Sequence, residues 1–441
     1  MTYESIALLM FLSLVVLMMT GQRVFAAIGF VAAIMALVGY GVGGEELAFN
    51  QAFKLFRWTA LVALPLFVFM GYVMARSGIA EDLYRMFHVW LGRIPGGLAI
   101  GTILLMVVIS AMNGLSVAGM AIGATVALPE MLRRGYDKVL VTGVVQGGSS
   151  LGILLPPSVV MILYGAIAGQ PVDRLWLAGI VPGLLMAILF IAYVTVRARL
   201  NPALAPPASD ADLDMPLVAK LALIRAGILP VLIFVSMIGL FLAGYTFLHE
   251  SAAIGAAATL LAAAVKRRLT WTMVRKSAEE TLAISCLFMW IILAALAFST
   301  VFDGLGAVRA VESLFITRWE LTPWQVIILM QLSFILLGMF FDDTAMLVIV
   351  APLYIPLVRM LDLGFDSVRE QMIWFGVLYT MTCQIAYITP PFGYNLFLMR
   401  GMAPPEVSLW DIYRSIWPFV AMMALTIGLV MAFPEIALIL I

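Results

Sequence analysis

Gly147-Gly148-Ser149-Ser150-Leu151-Gly152-Ile153-Leu154-Leu155-Pro156-Pro157-Ser158 decides how this chain folds. The stretch lies inside a long apolar segment, where a helix crossing a bilayer would run without interruption. It carries instead three glycines, three serines and two adjacent prolines. Each proline removes a backbone N–H, and the residue before a proline is driven out of the helical region. In hydrocarbon a freed carbonyl is costly unless something satisfies it, so the break must face protein or a cavity. A second break follows at Thr389-Pro390-Pro391-Phe392-Gly393. Two interrupted hydrophobic segments at matching places in two halves point to a transporter's binding site.

The composition agrees with a membrane chain. Of 441 residues, 64% are apolar and 11% charged, against about 45–50% and roughly 25% in soluble domains. The longest polar stretch, 201–220, is too short to bury a core of its own. Basic and acidic residues balance at 25 each, so nothing suggests nucleic acid. Cys286 and Cys383 lie in apolar segments and read as small core residues. His88 and His249 are isolated. There is no Ser-His-Asp set, no metal-spaced His or Cys cluster and no phosphate loop. The chain is therefore expected not to be an enzyme and to need no cofactor, which leaves ion-coupled or facilitated transport. The first segment, 6–19, lacks a basic start and a small-residue cleavage site, and reads as a retained helix.

Apolar runs of about 20 residues mark spans. They fall at 4–20, 24–42, 59–75, 175–196, 226–247, 252–265, 278–300 and 412–433, with broken spans at 139–163 and 372–399. Two longer runs, 97–132 and 323–361, exceed one span but leave no room for a loop between two. Their centres, Asn113-Gly114-Leu115-Ser116 and Phe341-Asp342-Asp343-Thr344, are small or polar. Each run reads as a re-entrant hairpin that enters, turns tightly and leaves on the same side. Segments 43–58 and 78–93 mix polar and aromatic residues and read either as helices in the interface or as connecting loops. With both termini outside, 18 of the 25 basic residues fall on the inner side, as the positive-inside rule requires.

This layout makes the first hairpin enter from the inside and the second from the outside. The order of features repeats: Pro95, Asn113, Gly135-Tyr136-Asp137, Pro156-Pro157, and then Pro323, Asp342, Gly364-Phe365-Asp366, Pro390-Pro391. The spacings are 18, 22 and 21 residues in one half and 19, 22 and 26 in the other. Opposite entry faces with one order of features mean an inverted repeat. The expected fold is an all-α polytopic membrane protein with two re-entrant hairpins and two broken helices. The halves are 1–200 and 221–441, joined by a cytoplasmic linker, 201–220, rich in Pro, Ala and Asp.

Ionisable groups at membrane depth are functional candidates. Asp342 and Asp343 sit in the second hairpin, where chain reversal frees carbonyls. Carboxylate, hydroxyl and carbonyl oxygens suit a hard cation such as Na⁺. The alternative is that an aspartate caps the returning half-helix. Asn113 and Ser116 hold the matching tip, as ligands or as turn residues. Half-helix N-termini at the tips attract an anionic group. The substrate anion is expected between the breaks, near Ser116, Pro156, Pro157, Thr344 and Pro391.

Several motifs together resemble the large membrane subunit of tripartite ATP-independent periplasmic (TRAP) transporters. They are 113–118 (NGLSVA), Gly135-Tyr136, 151–158 (LGILLPPS), Tyr164-Gly165, 178–183 (AGIVPG), 338–342 (GMFFD) and 389–393 (TPPFG). The resemblance spans essentially the whole chain. It implies a bacterial inner-membrane, Na⁺-coupled importer of a small carboxylate or sulfonate, with periplasmic termini. It implies two partners, a small four-helix membrane subunit and a periplasmic binding protein. It further implies an elevator, in which hairpins and broken helices slide against a scaffold. By this resemblance Na⁺ sits at Asn113, Gly114 and Ser116 with Gly148, Ser149 and Ser150, and at Asp342 with Thr389 and Pro390. Asn113 and Leu115 stand where the family often has serines, and a Leu115 side chain cannot coordinate. Asp343 replaces what is commonly threonine. The alternative is a self-sufficient carrier of the wider ion-transporter superfamily, with paired hairpins and no binding protein.

Overall fold

Caps and prolines set where the helices start. The Asp137 carboxylate accepts from the Leu140 N–H (2.9 Å) and opens Lys138–Ser150. Thr270 opens Trp271–Gly304, and Ser367 opens Val368–Ile388 in the same way. Thr322 and Gln325 cap each other's backbone N–H groups, with Pro323 at the first helical position of Pro323–Gly338. Such reciprocal caps satisfy donors that no helix can satisfy internally. The computed structural model describes residues 2–441 except 57, 59, 115, 208–215, 314–319, 340–342 and 391–392. Among these residues the chain is helical, with no strand. Five helices are long and apolar enough to cross a membrane, or six if a bent pair counts as one. The chain is a multi-pass membrane protein.

The bent pair is Leu61–Arg76 and Ile79–Leu91, at 59° to each other. Segments 43–58 and 78–93 are therefore not plain loops: Gly44–Phe56 and Ile79–Leu91 are helices. Ile79–Leu91 buries Ile79, Ala80, Leu83 and Tyr84 and turns Glu81, Asp82 and Arg85 outward. Both long apolar runs fold back on themselves. In the first, the Leu98 N–H donates to the Tyr136 hydroxyl (3.4 Å), so start and end meet. In the second, the Ser333 and Tyr354 hydroxyls pair at 2.7 Å between Pro323–Gly338 and Asp343–Met360.

Loops assigned to one side also meet. Among loops expected inside, Arg76 pairs with Glu280 (2.6 Å), and Lys266 and Lys138 donate to the carbonyls of Gly78 and Glu406 (both 2.7 Å). Among those expected outside, Arg359 donates to the Ala168 carbonyl (2.6 Å). The start of the expected linker, 201–220, is anchored. The Leu204 and Ala205 carbonyls accept from the Asp137 and Gly96 N–H groups (2.9 and 3.2 Å), and Ala205 is buried. The short turn Pro202–Leu204 lays its carbonyls against N–H groups at two helix starts, which helices leave open. The next helix begins at Leu217, inside the expected linker.

Candidate functional site

The first break forms where Lys138–Ser150 tightens into the 3₁₀ turn Leu151–Ile153 and stops, resuming as Val159–Ala168. Every residue from Gly147 to Ser158 is buried. Ser158 does two jobs: its hydroxyl donates to the Ile153 carbonyl and accepts from the Met161 N–H (3.2 Å). The Trp176 indole donates to the Ser158 carbonyl (3.3 Å). The Ser149 and Ser150 hydroxyls donate to the carbonyls of Gln146 (2.9 Å) and Gly147 (2.7 Å). Side chains thus take up carbonyls around a proline-broken helix, as membrane interiors demand.

The first hairpin tip seats on this break. Gly114 has φ +70, a conformation that costs a side-chain-bearing residue about 1–2 kcal/mol. A Cβ at Gly114 would also overlap the Pro157 carbonyl oxygen. The Gly114 carbonyl accepts from the Val159 N–H (3.4 Å), tying tip to resumed helix. Ser116 opens the return arm, fully buried.

The second break reaches across to the first. Val368–Ile388 ends at Thr389, whose hydroxyl donates to the Ile385 carbonyl and whose own carbonyl accepts from the Gly393 N–H (3.1 Å). The helix resumes as Tyr394–Met402. In its first turn the buried Asn395 amide donates to the hydroxyl oxygens of Ser116 (3.1 Å) and Ser149 (3.3 Å). The Gln384 amide donates to the Ser150 carbonyl (3.0 Å). First tip, first break and second break therefore meet at one place. The Gln384 side-chain oxygen is buried there without a hydrogen-bond partner among the described residues, as is that of Gln146, whose amide donates instead to Thr142 and Ser415. Near the second tip, Gly338 lies so close to Ala386 that a Cβ would overlap the alanine methyl.

Of the expected site residues, Gly114, Ser116, Gly148, Ser149, Ser150, Pro156 and Pro157 belong to this one assembly. Gly148 packs on Met106 of the first hairpin. Thr389 and Pro390 lie in the second break, within two turns of Asn395. Asp342 and Pro391 lie outside the described residues, as do the side chains of Asn113, Asp343 and Thr344. Of Ser150 and Ser116, expected as ligands, the carbonyl of the first and the hydroxyl of the second are engaged by second-half amides. Asn395, Gln384 and Gln146 escaped the sequence reading. Their signal was a neutral amide inside an apolar segment within a few residues of a break.

Residues 11–436 match the family described as tripartite ATP-independent periplasmic transporter, DctM component. The chain is 28% identical over 393 residues to the C4-dicarboxylate TRAP transporter large permease protein DctM of Pseudomonas aeruginosa, covering 88% of each. It is 27% identical over 413 residues to the ectoine TRAP transporter large permease protein TeaC of Halomonas elongata, covering 92% of this chain and 93% of that one. The sialic acid TRAP transporter permease protein SiaT of Haemophilus influenzae matches at 27% over 85% of this chain and 59% of its own length. These relatives are transporter permeases, not enzymes. The fold is similar to the crystal structure of the Alcanivorax borkumensis YdaH transporter, at TM-score 0.62 and 16% identity over 88% of both chains. With a match that runs from residue 11 to residue 436, this chain belongs to the DctM family, the large permease component of TRAP transporters.

Proposed function

We propose that the chain is the Na⁺-coupled large permease of a three-part importer in the bacterial inner membrane. A periplasmic binding protein delivers a small organic anion, and a small four-helix subunit completes the membrane unit. Both termini face the periplasm. Hairpins and broken helices form the moving part of an elevator, and the two halves are an inverted repeat. The meeting of both breaks and the first tip at Asn395 carries this reading. A buried Gln384 oxygen with no donor beside the Ser150 carbonyl suits a hard cation, since an unmet buried acceptor is costly. Relatives are named for C4-dicarboxylates, ectoine, isethionate and sialic acid. Each of these ligands carries a carboxylate or sulfonate, so the anion here is of that class. Na⁺ sits at the two tips, with Asn113, Gly114, Ser116, Gly148, Ser149 and Ser150, and with Asp342, Thr389 and Pro390.

The test is Asp342→Ala, reconstituted in proteoliposomes with both partners. Na⁺-driven uptake should fall by about tenfold or more while the complex still assembles. Wild-type Na⁺ dependence in this variant would make Asp342 a helix cap and remove it from the ion site.

A further inference from the structure

We propose that a cavity beside the bent pair of helices binds the phosphate headgroup of an anionic phospholipid. The cavity encloses about 360 Å³ between Ile79–Leu91, Leu217–Phe234 and the end of Leu248–Val265. Its polar wall holds Arg85, Arg225 and Lys266 against a single acid, Asp82. Lys266 is already committed, to the Asp82 carboxylate and the Gly78 carbonyl (2.7 Å). Arg85 and Arg225 make no ion pair or hydrogen bond among the described residues. Two uncompensated guanidinium groups thus line one space. The planar guanidinium fork matches phosphate oxygens with paired N–H bonds.

The other wall is apolar, with Ile79, Leu229 and Val265. Beside it Leu217–Phe234 turns Leu221, Ile224 and Ile228 outward, 43% to 56% exposed. A free phosphate ion would meet the guanidinium groups and leave these side chains bare, whereas a phospholipid also covers them with its acyl chains. At the same level the Trp90 indole donates to the Lys220 carbonyl (3.3 Å), as aromatic residues do where membrane meets water. Basic pockets between membrane helices on the cytoplasmic side are where anionic headgroups lodge. The choice of leaflet rests on the orientation proposed above, and the binding does not.

The test uses the full chain with its partners, stripped of lipid and placed in nanodiscs. Phosphatidylcholine discs doped with phosphatidylglycerol are compared with pure phosphatidylcholine discs, and with the latter plus inorganic phosphate. Native mass spectrometry and thermal melting read retention and stabilisation. Phosphatidylglycerol alone should be retained and raise the melting temperature. Arg85→Gln with Arg225→Gln should weaken retention by about tenfold with uptake unchanged. Asp82→Asn, which removes the competing acid, should strengthen it. Equal retention in the double variant, weaker retention in Asp82→Asn, or the same stabilisation from inorganic phosphate would each overturn the proposal. Labelling a cysteine placed at position 270 from either side reports the orientation separately, so a wrong leaflet is not mistaken for a wrong site.

Discussion

The resumed helix of the first half, Val159–Ala168, is buried from Val159 through Gly165. It packs on Ala60–Arg76, on Val172–Leu200 and on the second hairpin. The resumed helix of the second half, Tyr394–Met402, leaves Phe397 57% exposed, with Arg400 and Gly401 exposed beside it. The two breaks also differ in what they give the other half, although Thr389 closes the second locally as serines close the first. The first is closed from nearby, by Ser149, Ser150, Ser158 and Trp176. The second contributes Asn395 and Gln384 to oxygens of the first half. A repeated order of residues therefore produces two unlike roles. At their meeting point the first break offers acceptors and the second offers the amide donors, while elsewhere Lys138, Gln146 and Tyr164 of the first half donate to Glu406, Ser415 and Met372 of the second.

The hairpin tips give the sharpest way to break this comparison. Gly114→Ala places a methyl against a backbone carbonyl in a left-handed conformation, and neither can give way. It should cost about 3 kcal/mol or more and abolish uptake. Gly338→Ala meets the Ala386 methyl and the Met346 sulfur in an ordinary helical conformation, so a small helix shift relieves it, at about 1–2 kcal/mol. Thermal melting and proteoliposome uptake of the two variants check the order. Equal effects would mean that the first tip is no tighter than the second.

The cross-half donors come next. Asn395→Ala leaves two buried serine oxygens without their donor and should cost about 1–3 kcal/mol. A double-mutant cycle with Ser149→Ala should show that the two costs do not add. Strict additivity would dismiss the Asn395–Ser149 contact as a link between halves. Gln384→Ala, which strands the Ser150 carbonyl, should fall in the same range.

The smallest effect separates the two arginines that follow the return segments. Arg359 donates to the last turn of the other half's resumed helix, at Ala168. Arg400 donates locally, to the Val407 carbonyl (2.9 Å). Arg359→Ala should cost about 1 kcal/mol and Arg400→Ala about half that, read as shifts in melting temperature. The reverse order would place the closer bond between halves elsewhere.

Much of this was legible from residues alone because the physics is local. Proline removes a donor wherever it stands, so the breaks near Pro156 and Pro390 follow from the chain. Gly114 marks the first tip for the same reason. The apolar helices follow from runs of hydrophobic residues. Asn395 was not legible in this way. Its partners lie 279 and 246 residues away, and an isolated asparagine in an apolar run has no period to mark it. Nor did the composition of 201–220 reveal its anchoring, since Leu204 and Ala205 act through backbone carbonyls that any residue carries.

By itself, then, the sequence determined a helical membrane chain with a tight tip at Gly114 and helix interruptions near Pro156 and Pro390, because propensity, hydropathy and proline chemistry act within a few residues. Only the tertiary structure decided how deeply each resumed helix is buried, which amides cross between the halves, and where the carbonyls released by the prolines find donors. Those outcomes depend on which groups meet across more than 200 residues of chain. A buried polar group must find a partner, but its own sequence neighbourhood does not say which one.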